Sequence, residues 1–145
     1  MIVVDTNVLV YAANQASPHH APCRRWLEAQ RGHRSAWFAT WSIVYEFLRI
    51  VTHPRVIPSP WNAASAWGFV EALLATPGLT LLVPTVRHSE VAAEVIAQMP
   101  ELSGNLFHDA HIAILMREHG ISRICTRDTD FHRFPFVEVV DPLRA

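Results

Sequence analysis

With 145 residues, half of them hydrophobic and 17% charged, the chain carries enough apolar material to bury a core and is no disordered segment. Its formal charge of −1 gives no general attraction to nucleic acid, and all 12 of its cationic residues are arginine, which excludes P-loop and Schiff-base chemistry for want of a lysine. Cys23 and Cys125 are too few for a disulfide framework, no apolar run nears the roughly 20 residues of a membrane span, and the opening MIVVDTNVLVYA lacks the basic region of a signal peptide, so a cytoplasmic protein is expected.

Residues 1–4 predict a buried strand. Residues 7–14 predict a short helix capped by Thr6 or Asn7. His19 and His20 are expected in a solvated turn. Pro18 opens a helix that runs to about residue 30 and ends near Gly32. Residues 41–51 form the next helix, stopped by Pro54, and residues 62–75 another, closed by Pro77 and Gly78. A strand at 79–83 and a helix at 87–98 follow. Residues 106–119 predict a helix with Gly120 past its end, then strands at 123–126 and 137–140. No repeat or linker interrupts the pattern, so residues 1–145 are read as a single domain. Strands alternating with helices predict an α/β fold around a mainly parallel sheet, with ligands outside the carboxyl ends of its strands.

Most of the 13 acidic residues read as solvated helix surface, among them Glu28, Glu71, Glu90, Glu94, Glu101 and Glu118. Five do not. Asp5 ends the first strand and could serve simply as a helix N-cap or turn residue, but since Thr6 or Asn7 can cap the next helix, Asp5 is expected to be free for other work. Glu46 shares a helical face with Ile43, Phe47 and Ile50, where a carboxylate is costly to bury unless paired or metal-bound; Arg49 at i+3 offers a simple ion pair. Asp109 has Ile112, Ala113 and Met116 as helical neighbours and lies near the helix start, where the macrodipole favours an anion. Asp128 and Asp130 follow the strand at 123–126. Several carboxylates on one rim with no lysine among them repel one another unless a cation intervenes, and all-oxygen ligation selects Mg²⁺, Mn²⁺ or Ca²⁺ over zinc. One or two such ions can activate water for phosphodiester cleavage without a nucleophilic side chain.

The segments IVVDTNVLVYA, SPHHAPCRRWLE, WSIVYEFLRIVTHPRV, GNLFHDAHIAILMREHG and TRDTDFHRFPFVEVVDPL, in this order over residues 1–143, resemble the PIN-domain nucleases, and within them the VapC toxins of type II toxin–antitoxin pairs. The resemblance implies a three-layer α/β domain and Mg²⁺- or Mn²⁺-dependent endoribonuclease activity that uses metal-activated water. It casts Asp5, Glu46, Asp109 and Asp128 as the acidic catalytic set, with Asp5, Asp109, Asp128 and Asp130 holding the metal; spacing leaves open which of Asp128 and Asp130 lies closer. Asn7 and Thr126 match polar positions that support the site. The likeness also implies a homodimer and inhibition by a VapB-type antitoxin, with a basic residue of the partner reaching the acidic pocket. Arg49 and Arg55 flank the expected site and are candidates for guiding RNA.

Other readings have less behind them. His108, Asp109 and His111 share one helix, but zinc wants further imidazole or thiolate ligands, and a histidine–aspartate phosphohydrolase is all-helical. Trp26, Trp37, Trp41, Trp61 and Trp67 are expected in core or interface rather than under stacked bases. Arg24, Arg25, Arg31 and Arg34, with His33, form a charged surface or a set of phosphate contacts. No G-x-G-x-x-G or G-x-S-x-G segment is present, and a phosphorylatable receiver domain needs the missing lysine. A non-catalytic PIN-like binding or scaffold domain is the alternative from another class.

Overall fold

The computed structural model describes residues 1–33 and 35–144, so Arg34 lies outside the described residues. Among the described residues five strands form one sheet: β1 (Ile2–Val4), β2 (Trp37–Thr40), β3 (Leu79–Leu82), β4 (Arg123–Cys125) and β5 (Glu138–Val140). The order is β3-β2-β1-β4-β5 and every neighbouring pair is parallel. The expected mainly parallel sheet is wholly parallel. Buried parallel strands need no polar face, and β1 accordingly reads as an unbroken apolar run.

Six α-helices among the described residues cover it: α1 (Thr6–Ala13), α2 (His20–Gly32), α3 (Trp41–Val51), α4 (Ala63–Leu74), α5 (His88–Gln98) and α6 (Leu106–Glu118). Helix α1 packs on α2 and α3, α3 on α4, and α5 on α6. Successive strands step outward from β1 to β3, then the chain crosses back to β4. Right-handed crossovers therefore set α1–α4 on one face and α5–α6 on the other, giving three layers. Strand order reverses between β1 and β4, and the crevice at their carboxyl ends is the place where such sheets bind ligands.

Helix α3 shows how composition fixes an element. Ile43, Val44, Phe47 and Val51 are buried at helical spacing, and burial of a side chain such as Phe47 contributes about 1.5–3 kcal/mol. Thr40 accepts from the Ile43 N–H at 3.2 Å and caps the helix. Gly120, at φ 69°, sits where α6 ends; the Ile121 N–H reaches back to the Met116 carbonyl at 2.9 Å, a closure that needs a left-handed residue between.

Three expectations change. Strand β2 was not foreseen, because its apolar run passes straight from Thr40 into Trp41 of α3 with no turn residue between them. A 3₁₀ turn over Thr129–Arg133 fills a stretch to which the sequence pattern assigned no element. The two histidines at the start of α2 are half-buried rather than solvated: His20 opens the helix with its Nδ1 2.9 Å from the Tyr11 carbonyl, and the His19 ring, at the cap position, stands edge-on to Tyr11.

Candidate active site

The site begins at the sheet crevice. The Asp5 N–H donates to the Cys125 carbonyl at 3.0 Å, so the β1–β4 pairing carries on through Asp5. Its carboxylate is buried and fully engaged. Oδ1 accepts from the Thr6 N–H at 2.7 Å, while Oδ2 accepts from the Thr126 hydroxyl at 2.7 Å and the Asn7 amide at 3.1 Å. Asp5 is thus the N-cap of α1, which corrects the expectation that Thr6 or Asn7 would cap and leave Asp5 unoccupied. Asn7 donates to the Thr126 hydroxyl at 3.0 Å and accepts from the Arg127 N–H at 3.0 Å; Thr126 accepts from the Asp128 N–H at 2.9 Å. One compact network therefore ties β1, α1 and the loop after β4 together.

Above this network three acids meet. Asp109 comes from the first turn of α6. Asp128 caps the 3₁₀ turn, its Oδ1 accepting from the Asp130 N–H at 2.8 Å. Asp109, Asp128 and Asp130 each offer an oxygen, all within 4.8 Å of one another. They open into a cleft of about 680 Å³ whose walls also carry Glu46, Arg49, His108 and His111. Glu46 is half exposed; its Oε2 accepts from the Thr6 hydroxyl at 3.4 Å and its Oε1 lies 4.0 Å from Arg49. The i+3 ion pair and the cleft position thus coexist. Asp5 does not line the cleft but is buried behind it. Arg55 lies in the turn after α3, outside the cleft lining.

The electrostatics follow from crowding. Burial pushes the Asp109 carboxyl up to about 7, and the negative charges of Asp128, Asp5, Asp130 and Glu46 add to it. Burial likewise lifts Asp5 to about 6, against the pull of its bonds from Thr126 and Thr6, with Asp128 and Glu46 adding to the rise. A set of facing carboxylates that resists ionising fits a divalent cation, because the ion supplies the missing positive charge and accepts oxygen ligands at this spacing. Cys23 and Cys125 are fully buried with raised pKa and offer no thiolate.

Sequence reasoning missed Thr6, whose hydroxyl links α1 to Glu46. It also misread Glu118. That side chain is fully buried rather than solvated: it accepts from the Thr85 N–H at 2.7 Å and hydroxyl at 2.9 Å and pairs with His88. Arg31 pairs with Glu28 at 3.8 Å on an exposed surface. Trp37 is buried, Trp26 and Trp61 are half-buried, and Trp41 and Trp67 are more exposed.

The PIN-domain model matches residues 2–137. Ribonuclease VapC37 of Mycobacterium tuberculosis is 39% identical over 143 residues, covering 98% of this chain and 97% of the relative. Among solved structures, VapBC2 from Rickettsia felis bound to a promoter DNA fragment superposes with a TM-score of 0.70 at 18% identity, covering 97% of this chain and 98% of the other. Mycobacterium tuberculosis VapC20, a toxin that cleaves the sarcin–ricin loop, gives 0.68 at 22% identity over 97% of this chain and 100% of its own. These two likenesses establish the fold. The family model and the identity to VapC37 go further, and the chain belongs to the PIN-domain family, in its VapC branch.

Proposed function

We propose that the protein is the toxin of a type II toxin–antitoxin pair, a Mg²⁺- or Mn²⁺-dependent endoribonuclease that cuts phosphodiester bonds by hydrolysis. The observation that carries this reading is the convergence of Asp109 with Asp128 and Asp130, from separate elements, to within 4.8 Å. In it, Asp109, Asp128 and Asp130 hold the cation. Asp5 acts from behind through Thr126 and Asn7, which fix the loop that presents Asp128. A divalent ion held in this pocket would supply charge beside the scissile phosphate and would lower the pKa of a water there. Glu46 faces the same cleft, with Oε2 steadied by Thr6, and accepts the proton that the water releases. Arg49 on the same wall contacts the strand.

The relatives also support a partner and a setting. A protein of similar fold from Klebsiella pneumoniae was solved as a toxin–antitoxin complex, which supports a VapB-type antitoxin here, with a basic side chain reaching the acidic pocket as part of the proposal. A homodimer, a single domain and a cytoplasmic location belong to the same proposal; among the described residues no helix is long and apolar enough to cross a membrane.

The test is cleavage mapping on total cellular RNA with purified protein, Asp109→Asn as control, and chelator followed by Mg²⁺ or Mn²⁺. Cleavage that stops with EDTA, returns with metal and is missing in the variant supports the reading. Full activity in excess chelator overturns it. No cleavage, together with no divalent-ion binding, leaves the non-catalytic scaffold.

A further inference from the structure

The cleft just described presents a difficulty for an RNA strand. Asp109, Asp128, Asp130 and Glu46 line it against a single arginine, Arg49, which also lies 4.0 Å from Glu46; nearby Arg133 lies against Asp130 at 3.5 Å. A polyanion needs cations nearby to stay. On the other side of Asp128 a second pocket of about 570 Å³ opens, and Asp128 belongs to the lining of both. Its walls include Arg127, Thr129, His132, Asp141 and Arg144.

This pocket is built from the catalytic loop itself. The Arg127 backbone N–H is fixed by Asn7, the residue that also braces Asp5. The Arg127 guanidinium is held by Asp141, whose Oδ1 is anchored by the Leu143 N–H at 2.9 Å. Arg144 approaches the same carboxylate at 3.9 Å, with its side chain 88% exposed. Two guanidinium groups face Asp141 alone and Asp128 stands on the wall shared with the first cleft, so both arginines converge at one end of the pocket, and a guanidinium that spends one donor on Asp141 keeps others for a planar, bidentate hold on phosphate.

We infer that the Arg127–His132–Arg144 pocket is a phosphate subsite, holding a backbone phosphate of the same single RNA strand next to the one being cut. The inference rests on the nuclease reading. The pocket takes the phosphate without reading a base, so it contributes affinity and register rather than sequence choice. Arg144 swings from its long contact with Asp141 onto the phosphate, while Arg127 stays pinned as the fixed half of the clamp.

Steady-state cleavage of a single-stranded RNA, measured across a salt series, tests this with the full chain and with Arg144→Glu and Arg144→Lys. Because Arg144 is solvent-exposed, these variants report on the pocket even where Arg127→Ala disturbs the Asp141 anchor. Arg144→Glu is expected to raise KM several-fold, hold kcat within about twofold, and flatten the slope of log KM against log salt by about 0.7. Arg144→Lys should retain the salt slope. Unchanged KM and slope in Arg144→Glu overturn the subsite, as does a variant that loses only the binding of an acidic protein partner. Should the parent chain cut no RNA, the nuclease reading fails separately. Fluorescence anisotropy with a labelled RNA oligonucleotide then decides the subsite: salt-dependent binding weakened by Arg144→Glu supports it, and equal binding overturns it.

Discussion

Thr126 illustrates how much one hydroxyl carries. It donates to Asp5, accepts from Asn7 and accepts from the Asp128 N–H, all within 3.0 Å. Valine has nearly the same shape and none of these bonds. Thr126→Val therefore strands buried polar partners, at a cost of about 1–3 kcal/mol, and loosens the loop that presents Asp128. Groups that orient metal ligands typically cost about 10–100-fold in metal affinity when removed, and the same loss is expected here by isothermal titration with Mn²⁺. Unaltered affinity would separate the network from metal binding. Asp109 differs in kind: its raised pKa comes from burial and neighbouring charge, with no hydrogen bond contributing. Asp109→Asn removes a repulsive charge, so the metal-free variant should fold at least as stably at pH 8 while cleavage drops by at least the roughly 10–100-fold that loss of a ligand-orienting group costs. A variant that unfolds would show instead that Asp109 holds the structure.

At the scale of elements, Glu118 joins parts that the sequence leaves apart. It lies at the end of α6 yet accepts from Thr85, after β3, and pairs with His88, at the start of α5. Burial alone would push its carboxyl up; hydrogen bonds from the Thr85 N–H, His88 and the Thr85 hydroxyl outweigh that and leave it below the usual range. Glu118→Ala should cost about 2–4 kcal/mol in urea denaturation, and Glu118→Gln less, because the amide oxygen still accepts from Thr85. Equal loss in both variants would point to the charge rather than the bonds. Nothing in the sequence marks this residue, since an acid near a helix end looks solvated until its long-range partners are known. Strand β2 escaped for a related reason, as a four-residue apolar run leading directly into a helix leaves no periodicity to separate them. Asp5, Asp109, Asp128 and Asp130 were legible because each breaks an apolar pattern or follows a strand, and such positions converge once the sheet is parallel. The division of labour among them was not legible. Whether an acid bonds its own loop, as Asp5 does, or faces its fellows, as Asp109 does, depends on side-chain direction across 121 residues of separation.

For the molecule as a whole, the gathered charge should be visible in stability. In the metal-free protein, Asp5 at about 6 and Asp109 at about 7 bind protons more tightly folded than unfolded, where a carboxyl sits near 3.8. Their contribution is complete below pH 4 and is lost as pH rises through 6 to 7. For buried Asp5 alone the shift corresponds to about 3 kcal/mol. Glu118 has the opposite slope, because its lowered pKa gives stability that is present above 4.5 and lost on acidification; between pH 5 and 7 it is nearly silent. The melting temperature in chelator is thus expected to fall across that window. Asp109→Asn should flatten the fall by removing one of the two groups. A divalent ion reverses the sign of the problem, since it binds the ionised acids and only the folded state assembles them. Mg²⁺ or Mn²⁺ at a hundred times its dissociation constant adds about 2.7 kcal/mol, and the gain should grow with pH as the carboxylates give up their protons. Thermal melts in EDTA and in Mn²⁺, from pH 4 to 8, check both halves. A melting temperature in chelator that climbs steadily from pH 5 to 7, matched by an Asp109→Asn curve of the same shape and no response to either ion, would mean that the acids meet without ever sharing a cation.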